Sequence, residues 1–513
     1  MKKLYKVFIF SLLITNFSLL AIGRTDVVGY TTNDWQFSGP VYTRCRTDLI
    51  DYGIHVCWKG TSSGMYNYYN FATRQWNWSN GMTLPFSPYS MDNNPIIGNV
   101  TFSSVLSATT PFVVRDVTPG AGLFEYCNGP SGYLWPILAI SNNQAIHVAM
   151  FNNNTSQLCY SRVQPWCTWS TPILIADSAS LCYNIAASEI SNKIAVLWEN
   201  ATDLYPERVF YRLSNDGGIN WQPTIQLPFP PSVGLVPGYN SYSLFAIFDN
   251  QDNLHIVTSV SDTGYTIPAE IWLYSPANTQ PWTLVHHYNA NNLSAPVGYN
   301  ATFATRPSIV QNPTTGYFYV SWEQFDSLNY EPITDRARAD IYIVELRNNG
   351  QTVYAKQRIT IPNTTSKRFP ILGGVFSDTL VVNYLIDSIA GFEWLGEGRA
   401  TNNPVVCHFI PIPFPASHTE EYSTLNPQNY TLNVLPNPFS SHTAIHFSLS
   451  AQTNVSLQLY DVSGKLVKTL VNEQKNPGNY SFILNSSNLN PGVYFSTLKT
   501  GNKTITQKIV KTD

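Results

Sequence analysis

The sequence predicts an all-β protein, a β-propeller of seven blades with six as the alternative count, followed by a small immunoglobulin-like β-sandwich. Three observations predict it. A unit of two short strands around a turn recurs along most of the chain, as where Arg306-Pro307-Ser308-Ile309-Val310 and Tyr317-Phe318-Tyr319-Val320-Ser321-Trp322-Glu323 flank Asn312-Pro313-Thr314-Thr315-Gly316. β-Branched and aromatic residues favour the strands, and Asn, Pro and Gly supply the turn. Composition agrees: of 513 residues 12% are charged, 14% are aromatic and 34 are proline, which suits many short strands rather than amphipathic helices. Near the C-terminus the strand spacing changes after a stretch rich in Pro, Ser, Thr and Glu, which marks a second domain.

The first strands of the seven copies start at Arg46, Asn94, Trp135, Tyr183, Leu244, Arg306 and Phe369. Their second strands contain Ile54-His55-Val56, Phe112-Val113-Val114, Ile146-His147-Val148, Ile194-Ala195-Val196, Leu254-His255-Ile256, Phe318-Tyr319-Val320 and Leu380-Val381-Val382. A hairpin this small buries its apolar faces only against its neighbours, so a radial array is its natural home.

Residues 1–23 combine a basic start (Lys2, Lys3, Lys6), an apolar run from Val7 to Leu20 and small residues Ala21 and Gly23 before Arg24. This is the pattern of a secretory signal peptide, and Thr15, Asn16 and Ser18 interrupt a run already short for a bilayer span. The mature chain is therefore expected to have no transmembrane segment. Export permits disulfides among the seven cysteines; Cys45 with Cys57, and Cys159 with Cys167, are the pairs close enough in sequence to bridge locally. No Cys/His spacing suits zinc, and no metal or cofactor is expected. The propeller is assigned to residues 24–410. Val27 to Trp35, which has no partner in the first hairpin, is assigned as the closing strand of the last blade beside Val405-Val406-Cys407-His408-Phe409.

Most copies continue into a third strand and a turn ending in tryptophan, as from Tyr68 to Trp76, Cys159 to Trp169, Phe210 to Trp221 and Trp272 to Trp282. One such turn reads Ser214-Asn215-Asp216-Gly217-Gly218-Ile219-Asn220-Trp221, and this resembles the Asp box of sialidase-like propellers. The resemblance implies a structural role for Ser214, Asp216, Gly218 and Trp221: the carboxylate accepts turn amides, glycine permits positive φ, and the ring packs on the blade. His55, His147 and His255 recur at one place in three second strands. A residue repeated around a ring meets a repeated structural need, not one metal ion.

Residues 411–431 read as a linker, and 432–513 as a compact sandwich with strands at Ala444 to Leu449, Val455 to Tyr460, Tyr480 to Leu484, Gly492 to Leu498 and Thr504 to Val510. Leu435-Pro436-Asn437-Pro438-Phe439, Leu459-Tyr460-Asp461-Val462-Ser463-Gly464-Lys465-Leu466-Val467, Pro491-Gly492-Val493-Tyr494-Phe495 and Lys508-Ile509-Val510-Lys511 resemble the type A C-terminal sorting domain of type IX secretion. That resemblance implies the type IX machinery as a partner, passage through the periplasm and outer membrane of a Bacteroidetes-type bacterium, and release or attachment at the cell surface.

A formal net charge of −3 with no basic stripe excludes an electrostatic nucleic-acid binder. In sialidase-like propellers the innermost strand starts at the ligand-binding face. By that orientation the starts of the first strands (Arg46, Trp135, Tyr183, Arg306, with Arg368 adjacent) and the ends of the second strands (Trp58-Lys59, Arg115-Asp116, Trp198-Glu199, Trp322-Glu323) rim one channel mouth. Arginines, carboxylates and rings converging there suit a sugar or an acidic ligand; arginine and glutamate of neighbouring blades pairing with each other is the structural alternative. The expected function is binding of a glycan or a cell-surface protein without chemistry. A sialidase-type hydrolase is the alternative: Arg46, Arg306 and Arg368 would be its arginine triad, but its Arg-Ile-Pro signature is absent and no Tyr/Glu pair stands out. A structural adhesin or spacer is the third reading.

Overall fold

A computed structural model of the chain describes residues 23–414 and 432–512, apart from 37–43, 49–52, 107–108, 153, 201–207, 232–237, 240–242, 262–268, 289–294, 299–300, 436, 441, 450–451, 477, 486–488 and 501–502. The predicted signal peptide up to residue 22 and residues 415–431 of the predicted linker lie outside the described residues. The chain divides into two units, Met1–Ser417 and His418–Asp513. No described helix is long and apolar enough to cross a membrane.

Among the described residues the first unit forms seven antiparallel sheets of four or five strands, with one 3-10 turn at Glu393–Leu395. In the third sheet, for example, Leu134–Ile140, Ile146–Asn152, Gln157–Val163 and Ile173–Ala176 follow one another outward, each antiparallel to the last. Ile146–Asn152 is buried along nearly its whole length. Neighbouring sheets cover both its faces, so it reads in sequence as a continuous apolar run rather than as an alternation. The innermost strands meet in cyclic order: Cys45–Asp48, Ser90–Asn93, Leu134–Ile140, Tyr183–Ala187, Phe245–Phe248, Ala304–Gln311 and Ser366–Phe376, the last packing again on Cys45–Asp48. The fold is a β-propeller.

Side chains of one inner strand bond the backbone of the next. Ser90 Oγ accepts from Leu138 N–H at 2.9 Å, Asp92 Oδ2 from Ile140 N–H at 2.9 Å, and Ser308 Oγ from Leu372 N–H at 2.9 Å. These contacts satisfy backbone donors that have no strand partner on the channel side. The ring is shut by Arg24–Thr31, which pairs antiparallel with Asn403–Pro411 from Arg24 opposite Phe409 to Thr31 opposite Asn403. The first strand of the unit thus completes its last sheet, three residues earlier than Val27.

Two expectations change. The second sheet does not begin at Asn94: its first two strands are Ser90–Asn93 and Val100–Leu106, and Phe112-Val113-Val114 lies in its third strand, Thr110–Asp116. The disulfide joins Cys127 to Cys167, while Cys45, Cys57, Cys159, Cys182 and Cys407 are buried thiols. Cys45 and Cys57 cannot bridge because they face different inter-sheet cores, Cys45 with Ile54 and Val56, Cys57 with Tyr66 and Phe102. Cys167 instead reaches the outer strand Phe124–Asn128 of the neighbouring sheet, which carries Cys127.

The three recurrent histidines are fully buried hydrogen-bonding residues. His55 Nδ1 meets Tyr66 Oη at 2.7 Å, His147 Nδ1 meets Tyr160 Oη at 2.6 Å, and His255 lies between Ser275 Oγ at 2.7 Å and Asp249 Oδ2 at 2.9 Å. Each ties its second strand to the third, and burial pushes His55 and His147 down to about 3. The turn at 214–221 is held by Asp216: Oδ1 accepts from Asn220 N–H at 2.9 Å and Ser214 Oγ at 2.8 Å, and Ser214 Oγ in turn accepts from Gly218 N–H at 2.8 Å. Trp221 meets Tyr160 of the preceding sheet edge-on at 4.9 Å.

In the second unit, sheets of three strands (Leu432–Leu435, His442–Leu449, Gly478–Asn485) and four (Leu466–Lys475, Thr453–Asp461, Gly492–Thr500, Lys503–Lys511) share one core that includes Val434, Ile445, Leu457, Leu498 and Ile509. Leu432–Leu435 and Leu466–Lys475 were not among the strands expected from sequence.

Candidate functional site

The site lies at the mouth where first strands begin and second strands end. Three first strands open there with a residue of positive φ directly before proline: Trp135 at 44°, Arg306 at 51° and Phe369 at 57°. Strand register breaks at the same places, between Leu134 and Ile137, Thr305 and Ser308, and Arg368 and Ile371. These are bulges, and a bulge re-aims the groups around it.

The re-aimed groups of the last two sheets meet on one carboxylate. Glu323, ending the regular part of its second strand, accepts from Arg306 Nη1 on Oε1, and on Oε2 from Arg368 Nε at 3.3 Å and the Phe369 N–H at 2.8 Å. The side chains of Arg306, Glu323 and Arg368 are 7%, 0% and 1% exposed, so they face one another rather than solvent. Burial alone would raise the Glu323 carboxyl; the guanidiniums of Arg306 and Arg368 outweigh it and hold the group below the usual carboxylate range. Arg368 sits within 5.0 Å of the ring centres of Phe325, Phe369 and Phe392. The guanidinium of Arg44, from the sheet on the other side, bonds the Phe369 carbonyl and lies 5.9 Å from the same ring.

Two further acids approach Arg368. Burial raises Asp387 to about 7, with Arg368 opposing the rise and Asp34 adding to it. Asp34, also raised chiefly by burial, accepts from the Glu393 N–H at 2.7 Å. Lys59, which ends its second strand as Glu323 does, is pushed down to about 7 by burial and by Arg44.

Beside this buried cluster the mouth is open. The strands Phe318–Glu331 and Arg336–Arg347 extend past Glu323, and their connection faces the loop that follows Asp387. Thr334 Oγ1 donates to the Ala390 carbonyl at 2.6 Å and Arg336 pairs with Glu397 at 3.1 Å. Between them lies a cleft of about 540 Å³ lined by Ile333, Thr334, Arg336, Leu395, Gly396, Glu397, Gly398 and Arg399, and Arg399 is exposed. The group of residues is connected to the buried cluster through Phe392, whose ring stacks on Arg368.

Of the expected rim residues, Arg306, Glu323 and Arg368 are brought together. Trp135 and Tyr183 are at this mouth but packed: Trp135 lies 5.9 Å from Phe151, and buried Tyr183 donates its hydroxyl to the Trp135 carbonyl at 2.5 Å. Glu199 is buried at the end of its second strand. Arg46 is at the other end of the channel. It stands opposite His55, as Ala139 stands opposite His147, and pairs with Asp92 at 2.8 Å. Arg115 and Asp116 end a third strand, hence the other face, where Arg115 pairs with Glu125 at 2.6 Å. Asp34, Arg44, Arg336, Asp387, Glu397 and Arg399 were missed. Arg44 had a signal, being the basic residue two places before Arg46, and so had Asp387 and Arg336, which end a second strand and open a third, whereas Asp34, Glu397 and Arg399 lie in segments without a repeat. No cluster able to hold a metal occurs among the described residues.

Residues 433–512 match the family model "Secretion system C-terminal sorting domain". No curated protein sequence matches the chain. Solved structures similar to it include a polysaccharide lyase, PL25 ulvan lyase bound to -[GlcA(1-4)Rha3S]-, at 10% identity over 75% of this chain and 96% of that one with a TM-score of 0.45. Others are a Penicillium chrysogenum α-L-arabinanase complexed with arabinobiose (13% identity, 76% and 98% covered, TM-score 0.38) and a Hadza microbial sialidase (12%, 71% and 74%, 0.34). By fold and C-terminal domain this is an exported β-propeller. It carries a type IX secretion sorting domain, and it is a secreted or outer-membrane surface protein.

Proposed function

We propose that this exported propeller binds an anionic, hydroxyl-rich glycan at the mouth bearing Arg306 and Glu323, without chemistry. The observation that carries the reading is the cleft, where Arg336, held by Glu397, and exposed Arg399 stand beside Thr334 and backbone of a glycine-rich loop. Arginine pairs carboxylate or sulfate through two parallel N–H groups, and hydroxyls suit the acceptor and donor beside it. In this reading Arg306, Glu323 and Arg368 do not touch ligand; they are the rigid floor on which the cleft is built. Burial of Glu323 between two guanidiniums favours binding over hydrolysis, since an acid or nucleophile must reach the glycosidic bond.

The test is a glycan array with the full-length exported protein, followed by titration of Arg399→Ala and Arg336→Ala. An acidic glycan should bind, and each substitution should weaken it by about 1.5–3 kcal/mol, the range for hydrogen bonds to charged groups. Binding that both variants retain would move the site elsewhere. A protein that retains no glycan would favour the spacer reading, and release of sugar from a bound oligosaccharide would favour the hydrolase.

A further inference from the structure

We infer that Cys45 and Cys407 become joined by a disulfide that latches the propeller ring. Cys45 opens the innermost strand of the first sheet, Cys45–Asp48, and Cys407 lies in Asn403–Pro411 of the last sheet, so the two come from opposite ends of the first unit. Both are thiols in this structure, both are fully buried, and both belong to the core packed between the last and first sheets, where burial and the neighbouring Cys45 raise the Cys407 thiol. Room for the sulfur is supplied by Gly373: a Cβ there would lie 2.5 Å from Cys45 Sγ. The two thiols thus stand in the core shared by two neighbouring sheets, as Cys127 and Cys167 already join two others.

The compartment points the same way. A protein that carries a sorting domain for export leaves the reducing cytoplasm, and thiols in contact there are oxidised. The electron acceptor is a disulfide exchange protein. One cysteine, as thiolate, attacks the acceptor's disulfide and forms a mixed disulfide; the other thiolate then displaces the acceptor's second sulfur. One S–S bond forms and one breaks, and both protons end on the acceptor's two thiols. Because neither sulfur is exposed in the closed ring, exchange precedes the docking of Arg24–Thr31 against Asn403–Pro411. Once closed, the bond is shielded from reductant.

The experiment counts thiols. Protein recovered from the cell surface or medium is unfolded in denaturant with iodoacetamide and no reductant, and its intact mass is measured. The five thiols outside Cys127–Cys167 should give three adducts, on Cys57, Cys159 and Cys182. Five adducts overturn the inference. A non-reduced peptide map should contain Cys45 linked to Cys407, and a map linking either of them to another cysteine overturns it as well. Cys407→Ser should raise the count to four with Cys45 alkylated; if that variant is not exported, the wild-type count and map still decide.

Discussion

Replacing Glu323 with alanine removes the carboxylate that Arg306 and Arg368 share and that accepts from the Phe369 N–H. The side chains are at most 7% exposed, so two guanidiniums would face each other with little water to screen them. Breaking a buried pair by removing one partner costs about 3–5 kcal/mol. With an unfolding entropy of about 2.1 cal/mol/K per residue over the first unit, that corresponds to a fall of about 4–6 °C in the unfolding midpoint. Arg306→Ala should cost less, because Glu323 keeps Arg368 and the Phe369 N–H. In a double-mutant cycle the loss for Arg306→Ala with Glu323→Ala should be smaller than the sum of the two.

The assay is thermal and urea unfolding of the full chain followed by tryptophan fluorescence at several pH values. The Glu323 carboxyl is held low in the folded protein. Its stabilising contribution is therefore full above the unfolded value of about 4.3 and is lost as pH falls through the folded one. The penalty of Glu323→Ala should accordingly shrink below about pH 4. A variant that loses less than about 1 kcal/mol at neutral pH would behave as a solvated rim pair, and the buried network would not be what organises this mouth.

Asp387 should show the opposite pH dependence. Its folded value of about 7 lies above the ordinary 3.8, so stability linked to it is full below the ordinary value and falls as pH rises to about 7; Asp387→Asn should flatten that decline, read as the unfolding midpoint from pH 4 to 8. In the turn at 214–221, Asp216→Ala should cost about 1 kcal/mol without changing glycan binding, because the half-exposed carboxylate only holds the turn. Gly218→Ala should cost more: its φ is +81° and the new Cβ would meet Tyr160 Oη at 1.9 Å. Deleting 432–513 should leave a folded propeller retained in the periplasm, seen by fractionation and immunoblot; normal export would contradict the role of the sorting domain.

Six of the seven hairpins were legible from their apolar second strands, and the second was not, for a physical reason. Its inner strand Ser90–Asn93 uses Ser90 and Asp92 to bond the backbone of the next inner strand, so it carries no apolar run. The apolar pair taken for that strand, Ile96 and Ile97, is 50% and 47% exposed in a turn. Arg46 is not the counterpart of Arg306: it stands opposite His55, and the corresponding places opposite His147 and His255 are held by Ala139 and Ile247. Arg306, Glu323 and Arg368 could be found because the repeat delivers them to one mouth. Asp34 and the cleft loop could not, since non-repeating segments bring them there and only packing reveals the meeting, whereas Asp387 ends a repeated second strand, Thr379–Asp387.

The bulges explain how this mouth collects its charge. A non-glycine residue at positive φ costs about 1–3 kcal/mol, and the position before proline is further restricted. Such a conformation persists where the freed backbone groups find strong partners. At Phe369 the N–H goes to Glu323 and the carbonyl to Arg44, and at Trp135 the carbonyl takes the Tyr183 hydroxyl. The following residues, Pro136, Pro307 and Pro370, have no N–H, so breaking register there removes no donor from the sheet. The buried ions and the bulges therefore hold each other in place: the carboxylate satisfies the turned N–H, and the turn brings the arginines within reach of the carboxylate. A mouth fixed in this way can carry its variable, solvent-facing chemistry on the hairpin and loop above it, which is where Arg336, Glu397 and Arg399 are found.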